Sequence, residues 1–495
     1  MADTAPPRLV PGGRGFLPRG LLLGALSLLA LLARAEQSSE PQRTAVDLIV
    51  GGEWVVTMDP AQPVLENGAI AIQDGHIVAL GPAPEISATY EAREHFAGEH
   101  RVLMPGLVNA HGHAAMTILR GIADDRDVIT WLQDYIFPAE VRFVDEALVR
   151  LGTELACAEM IRGGTTTFVD MYYHPDAIAE VVVDCGLRAL ISATVIDQRS
   201  PDAADAEEGL ANARAFIGRW QGKHPRITPI LGPHSVYTLS PKQLEQVGEL
   251  ARELDVPISI HVAESRFEID TTAATHGSTP IALLEKLGVL QNHVIAAHVV
   301  HPTNDDLEIL SARGVGVAHC PTSNMKISSG IAPVIAMLDA GLHVGLGTDG
   351  AASNNDLDMF EEMRLGAFLQ KVATMEPTAL PASTALEMAT SRGAQVIGLG
   401  DEIGTLRVGA RADVIQLDLS DLHFTPLYDV ISHLAYVADE QDVITVVVDG
   451  EVLMRERELL TIDVARVTTQ ARALAKRIAD DLKRRPATDA RNETE

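Results

Sequence analysis

Metal-binding side chains end a series of apolar runs in this chain: His111 and His113 in PGLVNAHGH (105–113), His261 in ISIHVAE (258–264), His298 in IAAHVVH (295–301) and Asp349 in GLGTDG (345–350). Imidazole nitrogen and carboxylate oxygen are the donors that a hydrolytic divalent metal such as zinc accepts, with one coordination position left for water. In His111-Gly112-His113 the period of two in extended backbone turns both imidazoles to one face, and the glycine between them adds no bulk. Each piece alone has an ordinary reading. H-x-H is also a pair of half-buried histidines, GTDG a turn, and His261 a hydrogen-bonded strand end. Their order, with every ligand type falling at a strand end, points instead to one metal site.

Such a site needs strands that converge. TTTFVDMYY (165–173), LRALISATVI (187–196), RITPILGPHSVY (226–237), VPISIHVAE (256–264), HVIAAHVVH (293–301), GVGVAHCP (314–321) and HVGLGTDG (343–350) alternate with helical segments such as PKQLEQVGELAREL (241–254), from residue 104 to residue 400. This α/β alternation predicts a (β/α)8 TIM barrel whose chemistry sits at the carboxyl ends of its strands. Residues 46–103 and 404–458 read instead as antiparallel strands, with hairpin turns at Asp74-Gly75 and Asp449-Gly450. The expectation is that both ends of the chain join in one composite β-sandwich subdomain flanking the barrel. An amphipathic helix over 464–485 and a disordered tail over 486–495 complete the plan.

Composition narrows the partners. Asp and Glu number 68 against 39 Lys and Arg, a net charge of −29, and so acidic a surface repels nucleic acid. Cys157, Cys185 and Cys320 form no C-x-x-C pair, so no disulfide framework is expected, and Cys320 reads as a small buried strand-end residue. Arg8, Arg14 and Arg19 precede the uncharged run GLLLGALSLLALLA (20–33), which Ala33-Arg34-Ala35 follows. That pattern predicts a signal segment over 1–35 and a periplasmic or secreted protein. The alternatives are an uncleaved membrane anchor, or a misassigned start in a cytoplasmic protein.

With these residues in view, the chain resembles the amidohydrolase superfamily, and most of all its methylthioadenosine/S-adenosylhomocysteine deaminases and the related chlorohydrolases. The resemblance covers roughly residues 46–455 and rests on PGLVNAHGHAAMTILRGIADD (105–125), GPHSVYTLSP (232–241), HVAES (261–265), AHCPTSNMKISSGIAPV (318–334) and LGTDGAASNNDLDMFEEMR (346–364). It implies that His111, His113, His261 and Asp349 hold one zinc ion per subunit, that His298 orients the attacking water, and that Glu264 shuttles protons. Glu264 lies three residues beyond His261, a placement that suits a group facing the open coordination position without ligating. The resemblance also places Glu140 on ribose hydroxyls and His234 on purine or sugar, with Glu264 and Asp349 contacting the reacting heterocycle. Trp131 and Met116 are either an apolar wall or core.

The implied reaction is hydrolytic deamination of a purine nucleoside of the adenosine type. The related deaminases carry arginines for a homocysteine carboxylate where this chain has Ser192 and the acidic loop SPDAADAEE (200–208), with Arg199 the only nearby replacement. The expectation is therefore 5'-methylthioadenosine ahead of S-adenosylhomocysteine or adenosine. The alternatives are another aminated or halogenated heterocycle, such as guanine, 8-oxoguanine or an s-triazine, and an inactive binding or scaffold protein. A two-metal amidase of the superfamily would carry a bridging lysine near the end of GPHSVY, where none stands. The sequence leaves the oligomeric state open, a homo-oligomer included.

Overall fold

The computed structural model describes residues 43–484, so the expected signal segment and tail lie outside the described residues. Nine strands form the flanking sheet: β1 (Thr44–Val56), β2 (Val64–Gln73), β3 (His76–Pro82), β4 (Tyr90–Phe96) and β5 (Arg101–Pro105) from one end of the chain, and β14 (Val414–Asp418), β15 (Val443–Val448), β16 (Glu451–Arg455) and β17 (Glu458–Leu459) from the other. Strand β5 joins the two groups, parallel to β1 on one side and antiparallel to β14 on the other. The predicted β-subdomain is one continuous sheet with an apolar core of its own, which holds Leu48, Ile70, Leu103, Leu406 and Val447. Asp74 and Asp449 each take a positive φ (50° and 53°) ahead of a left-handed glycine, which gives the tight turns that the Asp-Gly pairs announce.

Eight parallel strands make the barrel: β6 (Leu107–Gly112), β7 (Thr165–Tyr172), β8 (Arg188–Val195), β9 (Ile227–Pro233), β10 (Ile258–Val262), β11 (Val294–His298), β12 (Gly316–His319) and β13 (His343–Leu346), paired in chain order. All eight residues of β7 and of β8 are buried, polar Thr165, Asp170, Arg188 and Ser192 included, as strands covered on both faces must be. Val108, Val169, Leu190, Ile230 and Ile295 fill the barrel interior near the strand starts, where Ala394 and Val396 of helix Ser391–Val396 plug it. The barrel closes where Gly112 bridges Asp349 and the Asp349 amide donates to the His111 carbonyl at 3.0 Å. A Cβ on Gly347 would stand 2.9 Å from His111 backbone atoms, so this seam requires glycine.

The first crossover, from β6 to β7, is long and departs from simple helix. A wide π-type turn over Trp131–Ile136, in which the Phe137 amide reaches back to Leu132, runs into helix Phe137–Phe143. Pro138 lacks the N–H that would continue regular bonding there. The C-terminal helix spans Val464–Arg484 and packs on Glu146–Arg162.

Candidate metal centre and active site

Each expected ligand arrives from a strand end. His111 lies in β6, His113 just beyond it, His261 in β10, His298 at the end of β11 and Asp349 three residues past β13. His111, His261, His298 and Asp349 offer ligand atoms that all lie within 4.8 Å of one another. His113 joins them, with Nε2 3.1 Å from Asp349 Oδ1 and 3.3 Å from His261 Nε2. The sequence division, with His113 a ligand and His298 beside the metal, is one partition of these five groups. Geometry brings all five together.

The ring orientations are fixed from behind. His113 Nδ1 meets the Met171 carbonyl at 2.5 Å, His261 Nδ1 the His234 carbonyl at 2.8 Å, and His298 Nδ1 the Asn324 amide oxygen at 2.9 Å. Such contacts leave Nε2 for the metal and set the tautomer. Asp349 Oδ2 accepts from Ser323 Oγ and Ser353 Oγ, both at 2.6 Å, so Oδ1 faces the histidines. Asn109 completes the seam, donating to Thr348 Oγ1 at 2.7 Å and accepting from the Thr348 amide at 3.1 Å.

This set fits a metal ion. His111 is fully buried and neither of its ring nitrogens has a hydrogen-bond partner, which is costly unless a cation takes one. Burial lowers its pKa to about 4, so the imidazole is neutral, the form that ligates. Burial acts on His113 in the same sense, but the Asp349 carboxylate outweighs it and raises that pKa to about 9. Burial also works against the Asp349 charge, yet the neighbouring His111 and His113 imidazoles hold its carboxyl well below the usual range. Residues around the centre are strained: Ala263, His298, Val299 and Asp349 all have positive φ.

Above the ligands lies a cavity whose lining includes Glu264, His298, His261 and Asp349. Glu264 Oε1 stands 4.0 Å from His298 Nε2, and burial raises the Glu264 pKa. Glu140 is buried in the wall with its pKa raised to about 7 by burial, and it accepts from Tyr173 at 3.3 Å. His234 lines the same space and is held neutral by burial, with a pKa near 3. Trp131 and Met116 are both wall and core: buried, yet lining the cavity. Cys320 is buried, with burial pushing its thiol pKa up.

Ser192 does not line the cavity: it is fully buried lower on β8, its hydroxyl donates to the Asp170 carbonyl at 3.1 Å, and Gly232 packs against it. The β8 residue that reaches the cavity is Thr194, and Arg199 is exposed beyond the strand. Among the described residues no arginine or lysine lines the cavity. Sequence reasoning also missed Tyr172 and Tyr173, which flank Glu140, and the hydroxyls of Ser323 and Ser353. The signal available was the Ser-Asn pair that follows both strand ends, 323–324 and 353–354.

Comparison with known proteins accords with this geometry. The amidohydrolase family model matches residues 102–453. A 5-methylthioadenosine/S-adenosylhomocysteine deaminase of Desulforudis audaxviator is 47% identical over 84% of this chain and 96% of its own length. A 5'-deoxyadenosine deaminase of Methanosarcina barkeri is 44% identical over 87% of this chain and 98% of its own. Among solved structures, an adenosine deaminase from Xanthomonas campestris with bound zinc superposes with a TM-score of 0.87 at 39% identity, covering 89% of this chain and all of that one. An atrazine chlorohydrolase of Arthrobacter aurescens TC1, complexed with zinc and atraton, gives 0.79 at 25% identity, covering 86% and 100%. Barrel, site and relatives agree on a hydrolytic enzyme, and the chain belongs to the amidohydrolase family.

Proposed function

We propose that the protein is a zinc-dependent deaminase of adenosine-type nucleosides, with 5'-methylthioadenosine its preferred substrate. The observation that carries this reading is one cavity that joins Glu264 and Glu140 to the cluster of His111, His113, His261, His298 and Asp349. The names of the relatives support it. His111, His113, His261 and Asp349 would hold the zinc, which when bound lowers the pKa of water toward neutrality and polarises the bond under attack.

The protein's own groups then manage protons and position. Glu264 accepts a proton from the attacking water and passes it to the ring nitrogen beside the amino-bearing carbon. His298, at the end of β11, orients the attacking water by accepting from it at Nε2, and Asp349 relays the second proton to the departing amino group. The carbon–nitrogen bond breaks, ammonia leaves and the inosine-type product remains. Glu140 accepts from the ribose hydroxyls, with Tyr173 fixing its carboxylate, and His234 contacts purine or sugar. A lining without arginine or lysine among the described residues suits a neutral 5' substituent better than one bearing a carboxylate.

Zinc-loaded protein is expected to release ammonia from 5'-methylthioadenosine with a higher kcat/KM than from S-adenosylhomocysteine, adenosine, guanine or an s-triazine. No ammonia from any adenosine derivative overturns the function, and equal or reversed preference between the two thioether nucleosides overturns the specificity. The segment over 1–35 is proposed to direct export. An amino terminus just after Ala35 in the mature protein, read by mass spectrometry, is the expected result.

A further inference from the structure

Helix Arg266–His276 begins directly after Glu264, with Ser265 as its cap. The Ser265 hydroxyl accepts from the Glu268 amide at 3.3 Å. In an ordinary capping box the glutamate at that helical position would return the bond to the cap residue's own amide. Here it reaches one residue further: Glu268 Oε2 accepts from the Glu264 amide at 2.9 Å. Glu268 is fully buried and its Oε1 has no hydrogen-bond partner. A carboxyl in that position is expensive for the fold, and burial raises its pKa to about 8.

The backbone it grips is already bent. Ala263 has φ 53°, a left-handed conformation that a non-glycine residue holds only when its surroundings fix it. On one side the Ala263 carbonyl accepts from the amides of Val300 and His301, both at 2.9 Å, which tie the end of β10 to the segment after β11. On the other side the contact is Glu268. The elbow carrying Glu264 is thus held by a backbone clamp and a side-chain clamp.

We infer that Glu268 is a positioning residue for Glu264: by holding the Glu264 backbone amide it fixes the elbow from which that side chain reaches over the metal centre. The inference rests on the proton-shuttle role proposed for Glu264. Glu268 is not among the residues that line the cavity, so its loss moves turnover rather than binding.

The test compares Glu268→Met, which keeps the bulk and removes the acceptor, with Glu268→Gln, which keeps a carbonyl acceptor. The expected result is a fall in kcat of roughly tenfold or more in Glu268→Met, with KM and bound zinc unchanged, and recovery to within about threefold of wild type in Glu268→Gln. Wild-type kcat in Glu268→Met, or equal losses in both variants, overturns it. If Glu268→Met does not fold, Glu268→Gln decides alone: kcat within threefold of wild type supports the acceptor role, and a larger loss overturns it. Glu264→Gln in the same assay separates this inference from the reading beneath it. If that variant keeps full turnover, the shuttle role itself is wrong, whatever Glu268 does.

Discussion

The two ends of the barrel interior are built from the same strands and do opposite work. Strand β8 shows it within three inward-facing positions. Leu190, near the strand start, packs with Val169, Ile230 and Ile295 against the helix that plugs the barrel; Ser192, midway, bonds the neighbouring strand; Thr194, at the top, lines the cavity. Below, apolar side chains fill space and every contact serves stability. Above lie buried imidazoles, raised carboxyl pKa values and positive φ angles, all unfavourable for the fold by themselves. Turnover and stability should therefore separate along one strand.

A paired substitution gives that comparison its strongest trial. Glu264→Gln should lower kcat by about 10²- to 10⁴-fold, the usual worth of a positioned general acid–base, without lowering Tm. Leu190→Ala should cost about 2–5 kcal/mol in denaturant unfolding while the remaining folded enzyme keeps kcat within a few fold. If Leu190→Ala loses turnover as severely as Glu264→Gln, the two ends are not independent.

A smaller effect sharpens the boundary. Ser353→Ala removes one of the two hydroxyls on Asp349 Oδ2 and should weaken zinc binding by about 10- to 100-fold in chelator competition, as loss of an outer partner generally does. Unchanged zinc affinity would mean that Ser323 alone suffices.

The smallest expected effect is on the pH dependence of stability. The Glu140 carboxyl has a folded pKa of about 7, above the ordinary value of 4.5 because of burial. Between those values the folded state keeps a proton that the unfolded chain has lost. The contribution is full below the unfolded pKa and disappears as pH rises through 7. Glu140→Gln should flatten this decline, so that its Tm falls less than the wild type's between pH 5 and pH 8. Parallel Tm profiles would show that Glu140 carries no such burden.

Much of the site was legible because its parts are local. A strand that ends on histidine, an H-x-H pair of period two and an Asp-Gly turn each announce themselves within a few residues. Glu264 was legible by its short reach from His261. The place of Ser192 was not legible for a physical reason: on a strand, two residues along the chain separate a side chain in the barrel wall from one in the cavity, and alignment to a family does not measure height in the barrel. The tyrosines beside Glu140 were hidden because Glu140 comes from the crossover helix and Tyr173 from the end of β7, a pairing that exists only once the crossover folds back.

By itself the sequence determined the barrel, the ligand types and the class of reaction, since hydrophobic period and ligand chemistry are properties of short segments. Only the tertiary structure decided which groups press on one another. Closing β13 against β6 sets Asn109 against Thr348 across 239 residues of chain and brings Asp349 onto His111 and His113. Contacts so remote in sequence have no local signal, because they are fixed by the closure of the barrel as a whole.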